Sequence, residues 1–332
     1  MNKRQIVRKT LLLAVITVIF LTGCGSLSYT SVTERSTFCF DTVVSVSIYK
    51  GDISALDDAL KMCASYEKIF SAADEDSELY RLNHRTGCTF EASDELAGLI
   101  KDALEMCRRT DGAFDITILP AKSLWDFGCG EGELPEREDL ENALELVDWE
   151  KVTVEGNTVT FPDDMMQIDL GACAKGYIAD RLADLLREKG VESAVINLGG
   201  NVLCVGEKPK NRDFIVGIRK PNGSSERTAA DLKIRNASVV TSGTYERFVT
   251  VGDIKYHHIL NPATGFPFET DIMSATVICK SSEQADMLST ACICLGSSEA
   301  IKLIDSTEGV EAVLIDNHGK LIKSAGADDY IM

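Results

Sequence analysis

Residues 168–177, Ile-Asp-Leu-Gly-Ala-Cys-Ala-Lys-Gly-Tyr, form a glycine turn that leads into a helical pattern. Such a turn offers free backbone N–H groups and the positive end of a helix dipole to an anion. Lys175 adds a positive charge at the same place. The Gly-Lys-Ser/Thr ending of a phosphate-binding P-loop and the Gly-x-Gly-x-x-Gly of a dinucleotide-binding turn are both absent. By itself, the segment is equally compatible with a binding site and with a structural turn.

Asp286 and Thr290 are four positions apart in a predicted helix and therefore share one face of it. A carboxylate and a hydroxyl are hard oxygen ligands of the kind that Mg²⁺ accepts, together with water and substrate phosphate. The same spacing also occurs on the solvated side of an amphipathic helix. Spacing alone favours the solvated helix over the magnesium site.

His257 and His258 end a predicted strand directly before an Asn-Pro loop. A histidine at such an edge can act as a general base or contact a substrate, or it can be an ordinary hydrogen-bonded polar residue. Thr241-Ser242-Gly243 also offers hydroxyls at a glycine turn. Because the Gly-x-Ser-x-Gly elbow is missing, a serine hydrolase is not favoured.

The elements that would position these residues indicate an α+β protein, with antiparallel hairpins interrupted by helices. Short apolar runs at 166–170 and 194–198 predict strands on either side of a helix at 178–189, which Gly190 would end. Further helices are predicted at 55–70, 93–109, 135–147 and 282–295. Further strands are predicted at 38–49, at a hairpin around 155–157, and at 202–205, 214–218, 231–234, 238–241, 245–251, 254–260, 274–279 and 312–315.

The N-terminus has the features of a bacterial lipoprotein signal peptide. Four basic residues precede an apolar run at 11–20, and Leu-Thr-Gly-Cys follows at 21–24. The run is too short for a comfortable membrane span, and the small residues before Cys24 resemble a lipobox. The alternative is a signal anchor with an incidental cysteine. We predict a signal peptide at 1–23, lipidation of Cys24, a polar tether at 24–37 and one folded domain at 38–332.

Charge and cysteine content limit the class of protein further. Removing the signal leaves 30 basic and 52 acidic residues, a net charge of −22, which makes nucleic acid an unsuitable partner. Ten cysteines follow Cys24, but many lie inside apolar runs, where buried free thiols are expected rather than disulfides or a zinc site. We expect such buried thiols at Cys63, Cys107, Cys279, Cys292 and Cys294.

Together, the motifs resemble the ApbE-type FAD:protein FMN transferases over essentially the whole mature chain. The motifs that carry the resemblance are Ala113-Phe114-Asp115, Asp169-Leu170-Gly171-Ala172, Ala174-Lys175-Gly176-Tyr177 with Asp180, Asn197-Leu198-Gly199-Gly200, Thr241-Ser242-Gly243 with Tyr245, His258-Ile259-Leu260-Asn261-Pro262 with Thr264-Gly265 and Pro267, and Ala285-Asp286 with Thr290. Several motifs in the family's order are far more specific than any one of them.

The resemblance implies a T-fold-like α+β enzyme anchored by lipid at the outer face of the cell membrane. It implies that Mg²⁺ is held by the carbonyl of Ala172 and the side chains of Asp286 and Thr290, with Ser289 nearby as a weaker ligand. Asp286 and His258 become the catalytic candidates. The positions implied to contact FAD are Phe40, Ala73, Ala113, Phe114, Asp115, Asp169, Lys175 and Leu260.

The implied reaction transfers FMN from FAD to a threonine or serine hydroxyl of an acceptor protein and releases AMP. Acceptors in the family include subunits of Rnf-type complexes and of sodium-pumping quinone reductases. With water as the nucleophile, the same site would be an FAD pyrophosphatase. A flavin-binding lipoprotein without turnover is the third alternative.

We predict that Cys24→Ala releases the protein from the membrane, because lipid on that cysteine would be its anchor. Fractionation of cells into membrane and soluble material measures the effect. The purified domain should keep its activity. Unchanged recovery in the membrane fraction would contradict the assignment of Cys24.

Overall fold

An antiparallel sheet of eight strands carries the fold in the computed structural model, which describes residues 32–128, 130–221 and 228–332. The signal peptide and Cys24 lie outside the described residues. In spatial order the strands are β1 (Thr33–Cys39), β2 (Thr42–Lys50), β7 (Ser193–Leu198), β8 (Asn201–Gly206), β11 (Ala237–Gly243), β14 (Ile272–Cys279), β15 (Glu311–Asp316) and β16 (Leu321–Lys323). The α+β class predicted from the sequence is confirmed.

The first hairpin differs from the prediction. Residues 38–49 were predicted as one strand, but β1 and β2 pair with each other through a two-residue turn. Both turn residues, Phe40 and Asp41, have positive φ angles, of 55° and 56°. Such turns usually carry Asn-Gly or Asp-Gly, and Phe-Asp is not a recognisable turn signal. Because β1 begins at Thr33, residues 33–37 belong to the sheet, and the predicted tether at 24–37 ends earlier than expected.

Seven α-helices occur in the described ranges, and three of the four longest pack against the sheet. They are α1 (Ala55–Phe70), α2 (Glu78–Asn83), α3 (Asp94–Arg109), α4 (Leu119–Lys122), α5 (Arg137–Leu144), α6 (Ala174–Glu188) and α7 (Ser282–Asp305). The predicted helix at 55–70 is confirmed, and Ser93 caps α3 by accepting a hydrogen bond from the N–H of Leu96 (3.2 Å). The helix predicted from residue 135 is shorter, since α5 starts at Arg137.

The remaining strands form smaller units. They are β3 (Thr89–Glu91), β4 (Gly130–Glu131), β5 (Thr153–Glu155), β6 (Thr158–Thr160), β9 (Phe214–Arg219), β10 (Thr228–Ile234), β12 (Phe248–Val251) and β13 (Ile254–His257). The β9–β10 hairpin belongs to a second apolar cluster, with Phe214 and Leu232, that includes Val239 of the main sheet. The large sheet is therefore covered by helices on one face and in part by this hairpin on the other.

Residues 166–170 do not form the predicted strand. None of the described strands pairs with them, and side chains form several of their backbone hydrogen bonds instead. Asn83 donates from Nδ2 to the carbonyl of Ile168 (2.9 Å) and accepts the Ile168 N–H at Oδ1 (2.8 Å), and Arg85 donates to the carbonyl of Met166 (2.7 Å). The short apolar run correctly indicated that this segment is buried, but the prediction that it pairs as a strand was wrong.

Helix α7 extends beyond the predicted end at residue 295. Gly296 is non-helical (φ 74°, ψ 168°), so the predicted helix corresponds to the first part of α7. Asp271 restarts the second part by accepting the N–H of Ser297 (2.8 Å). Within the described residues, only α7 is long and apolar enough to span a membrane, but its packing against β11 and β14 identifies it as a core helix.

The cysteines behave as predicted where the structure describes them. All nine described cysteines are free, and those at 39, 63, 107, 173, 204, 279 and 292 are buried. Cys294 is half-buried and Cys88 is exposed. The prediction of buried free thiols is confirmed at four of its five positions, and Cys294 is only partly enclosed.

Helices α6 and α7 meet at Gly176 with almost no space between them. A Cβ atom at this position would lie 2.3 Å from the carbonyl oxygen of Ser282 and 2.6 Å from Cα of Glu283. Asp180, one turn further along α6, accepts the N–H groups of Ser282 (2.8 Å) and Glu283 (3.1 Å). The first turn of α7 is thus fixed to α6 by a backbone contact and by a capping carboxylate.

We predict that Gly176→Ala destabilises the protein by about 1–3 kcal/mol, because both clashing groups are backbone and cannot rotate away. Urea denaturation measures the change in the free energy of unfolding. Gly98→Ala is the matched control, because a Cβ there meets nothing within 4 Å and Gly98 lies inside α3. That substitution should stabilise by about 0.5–1 kcal/mol. Equal effects of the two substitutions would contradict the close contact.

Candidate functional site

Two backbone N–H groups at the turn before α6 and in the first turn of that helix donate to the protein's own carboxylates. The N–H of Gly171 donates to Oδ1 of Asp169 (2.9 Å), and the N–H of Gly176 donates to Oδ2 of Asp286 (2.9 Å). Lys175 donates from Nζ to the carbonyl of Gly171 (3.1 Å). The backbone of this segment therefore binds two acidic side chains, Asp169 and Asp286, that are 117 positions apart in the sequence.

Asp286 is a buried carboxylate with few partners. Its residue is 4% exposed, and the Gly176 N–H is its one hydrogen-bond donor within the described ranges. No basic side chain in those ranges forms an ion pair with it. Burial raises the pKa of Asp286, and the nearby Lys175 charge and the Gly176 N–H offset this only in part. A buried anion in this state is stabilised by any cation that binds beside it.

The carbonyl of Ala172 is released by the same hydrogen bond. In a regular helix the N–H of Gly176 would donate to Ala172, four residues earlier, but here it donates to Asp286. No other backbone N–H of the described residues donates to this carbonyl. A free carbonyl and a buried carboxylate thus both adjoin Gly176.

Two hydroxyls on α7 complete this group of oxygen atoms. Ser289 and Thr290 are both hydrogen-bonded to Oγ of Ser242, at the end of β11, at 2.7 and 3.1 Å. Ser289 is fully buried and Thr290 is half-buried. The structure thus brings Ser242 of the Thr-Ser-Gly motif to the face of α7 that carries Asp286.

These oxygen atoms fit a hard divalent cation. Mg²⁺ is usually held by one or two carboxylates with neutral oxygens, water and substrate phosphate. The described residues contain no group of three or more His, Cys, Asp or Glu side chains that could hold a metal. A cation here would therefore rely on Asp286, on carbonyl and hydroxyl oxygens and on its substrate.

A second cluster lies around Asp169, at the start of the turn. The Lys122 ammonium, from α4, forms an ion pair with Oδ2 of Asp169, whose side chain is 17% exposed. Burial alone would raise the pKa of Asp169, but Lys122 and the Gly171 N–H outweigh it, so that the pKa is lowered. Asp169 is therefore ionised at neutral pH.

His258 belongs to the same cluster. Its Nδ1 lies 3.1 Å from the carbonyl of Arg247, and because a carbonyl only accepts, Nδ1 carries the proton and Nε2 has the free lone pair. Burial, the Lys122 charge and other nearby charges lower the pKa of His258 to about 4. The ring is therefore neutral at pH 7 and has one unprotonated nitrogen, Nε2, that can accept a proton, but a pKa of about 4 makes it a weaker base than free histidine.

The Ala113-Phe114-Asp115 motif meets the Asn-Pro loop at a cavity of about 400 Å³. Ala113 and Asp115 line it from one side, and Asn261 and Pro262 from the other. Oδ1 of Asp115 accepts the N–H (2.8 Å) and the hydroxyl (2.6 Å) of Thr117, and burial raises the pKa of this carboxyl group. Phe114, the middle residue of the motif, is buried.

Three of the positions implied to contact FAD differ in their burial and in their neighbours. Leu260 is buried in an aromatic cluster with Trp125 and Val249. Phe40 is half-buried in the β1–β2 turn, and its N–H donates to Glu67 (2.9 Å). Ala73 is exposed in the loop between α1 and α2 and contacts Ser71, not another candidate site residue.

Sequence reasoning missed Lys122. It follows Pro120 in a four-residue helix and is 47 positions from its partner Asp169. No local pattern links the two. A basic residue shortly after the Ala-Phe-Asp motif was the one available signal.

Comparison with known proteins gives consistent results. The ApbE family model matches residues 40–314. An FAD:protein FMN transferase of Treponema pallidum is 32% identical over 330 residues, which cover 93% of this chain and 91% of the relative. One from Klebsiella pneumoniae is 32% identical over 283 residues, covering 84% and 88%.

Solved structures agree with the sequence matches. The flavin transferase ApbE from Vibrio cholerae superimposes with a TM-score of 0.81 at 25% identity, over 90% of this chain and 99% of that one. The ApbE protein from Thermotoga maritima has a TM-score of 0.84 at 27% identity, over 91% and 100%. The fold is therefore shared over nearly the whole chain.

We predict that Lys122→Met raises the pKa of His258 by about one unit or more, because a nearby cation is lost and Asp169 is left unpaired. With four histidines in the chain, NMR titration of the imidazole signals resolves this, and His258→Gln assigns the signal. Lys122→Arg should keep the low value. Lys101→Met, whose Nζ contacts the carbonyl of Gly156, is the control. An unchanged titration of His258 in Lys122→Met would refute the link.

Proposed function

Since the chain belongs to the ApbE family, whose curated relatives are FAD:protein FMN transferases, we propose that it transfers FMN from FAD to a threonine or serine hydroxyl of an acceptor protein. The acid–base residue of this proposal is His258, and the metal-binding residues are Ala172, Asp286 and Thr290, with Ser289 beside them. Asp169, which is paired with Lys122, binds the N–H of Gly171 in the turn before α6.

One observation supports this proposal most strongly: the two clusters lie beside the same turn. Asp169 contacts the N–H of Gly171, and Asp286 contacts that of Gly176. Burial, and then the charges of Asp286, Glu283 and Asp169, raise the pKa of Cys173 in this turn. A pyrophosphate lying across this turn would have oxygen ligands for a cation on one side and a base on the other.

Bound Mg²⁺ would polarise the phosphorus and neutralise charge on the departing AMP. The protein's own contribution is positional. Asp286 is held by a backbone N–H, and Ser242 orders the hydroxyls of Ser289 and Thr290. Such fixed groups lower the barrier because they need no reorganisation during the reaction.

The transfer exchanges one P–O bond for another. The acceptor hydroxyl attacks the FMN phosphorus, a new P–O ester bond forms, and the P–O bond of the pyrophosphate breaks. AMP leaves with the bridging oxygen and its electron pair. The hydroxyl proton passes to Nε2 of His258, whose neutral ring accepts it at pH 7.

The acceptors in this proposal are membrane-bound redox subunits such as those of Rnf-type complexes or sodium-pumping quinone reductases. Lipid on Cys24 would hold the enzyme at the outer face of the same membrane. Tethering both proteins to one surface raises their effective concentration, so that a modest affinity suffices.

We predict that incubation with FAD, Mg²⁺ and an acceptor domain yields AMP and covalently flavinylated protein in equal amounts. Mass spectrometry of the acceptor peptide and chromatography of AMP measure the two products. Accumulation of free FMN with AMP, at a rate independent of the acceptor, would identify an FAD pyrophosphatase instead. Binding of FAD without AMP in the presence of Mg²⁺ would identify a flavin-binding protein.

Asp286→Asn tests the metal half of the proposal. It should abolish transfer while leaving the fold intact, because the amide keeps the size of the carboxylate and loses its charge. Glu299→Gln, on the exposed second part of α7, is the control and should be without effect. Chelation of Mg²⁺ should reproduce the Asp286→Asn result in the wild type.

A further inference from the structure

A chain of hydroxyl groups connects β11 to the face of α7 that carries Asp286. Oγ of Ser289 lies 2.9 Å from the backbone carbonyl of Asp286, and Oγ of Ser242 lies 2.7 Å from Ser289 and 3.1 Å from Oγ1 of Thr290. Each hydroxyl has one proton to donate and two lone pairs. The direction of the hydrogen bonds can therefore be deduced from one end.

The backbone carbonyl fixes the direction. Because a carbonyl has no proton, the contact at 2.9 Å requires the proton of Ser289. Ser289 must then accept at its contact with Ser242, which uses the proton of Ser242. Ser242 in turn must accept from Thr290. All three protons point along the chain toward the Asp286 carbonyl.

This order gives the two hydroxyls of α7 different chemical properties. Thr290 donates its proton toward β11, so its lone pairs are directed elsewhere, and the residue is half-buried. Ser289 is 0% exposed, and one of its lone pairs is already occupied by Ser242. Thr290 is therefore the hydroxyl oxygen that is free to bind a cation.

We propose that Ser242 is a positioning residue that accepts the hydrogen bond of the Thr290 hydroxyl and thereby makes Thr290, and not Ser289, the hydroxyl ligand of the metal. This inference rests on the proposed function, in that it takes the Asp286 face of α7 to hold Mg²⁺. Ser289 then serves as the acceptor that keeps Ser242 in place. Residues that orient a metal ligand typically change metal affinity by about 10–100-fold when removed.

Metal affinity of the mature full-length protein tests the proposal without any measurement of transfer. Mg²⁺ is titrated by calorimetry, and Mn²⁺ is counted by its free EPR signal. Ser242→Ala should weaken binding by about 10-fold or more. Thr290→Val should weaken it further, because the ligand itself is lost.

Ser238→Ala is the matched control. Ser238 lies on the same strand and the same face, and its hydroxyl also bonds to α7, at Oγ of Ser282 (2.9 Å). It touches none of the three hydroxyls in the chain. Its removal should lower thermal stability as much as Ser242→Ala does and leave the metal affinity unchanged.

A double variant separates the roles of Ser242 and Ser289. If both residues belong to one series of hydrogen-bonded hydroxyls, the double variant Ser242→Ala with Ser289→Ala should bind metal no more weakly than the single variant that has the lower metal affinity. Additive losses would make Ser289 an independent ligand and overturn the proposal, as would wild-type affinity in Ser242→Ala. Absence of metal binding by the wild type would overturn the metal site itself.

Discussion

The close contact between α6 and α7 at Gly176 is the constraint on which the site depends. A side chain at this position would meet the backbone of Ser282 and Glu283, so only glycine lets the two helices approach. That approach brings the Gly176 N–H to Asp286. The same hydrogen bond places the Asp286 carboxylate and releases the carbonyl of Ala172 from the helix. One backbone contact thus produces both the anionic and the neutral oxygen of the candidate cation site.

The two aspartates that bind this segment, Asp286 and Asp169, lie in different electrostatic environments. Asp286 is buried without an ion-pair partner among the described residues, and its pKa is raised. Asp169 is paired with Lys122, and its pKa is lowered. The first environment favours an added cation, whereas the second is already neutralised. Burial, and then the Lys122 charge, keep His258 uncharged. Phosphoryl transfer needs this combination, because the leaving phosphate requires positive charge and the attacking hydroxyl requires a neutral base.

Hydrogen bonds between distant parts of the chain hold the polar groups around the site. Asp180 fixes the start of α7, and Ser242 orders the hydroxyls further along the helix. Asn83 replaces a neighbouring strand for residues 166–170 and so holds the segment that leads to Asp169. These contacts join parts of the chain that are tens of residues apart. Their role is to keep the oxygen atoms of the site at fixed positions before a substrate arrives.

The sequence by itself determined the α+β class, most helices and strands, the free buried cysteines and the motifs of the family, because periodicity, caps and motif order are local properties. It predicted a strand at 166–170 and a single strand at 38–49, since apolar runs report burial and not pairing. Only the tertiary structure paired Lys122 with Asp169 and Ser242 with Thr290, and only it explained Gly176. Those contacts join residues 47 to 110 positions apart. Their strength depends on the charges and hydrogen-bond donors that folding brings together in a buried environment, which no local sequence pattern reports.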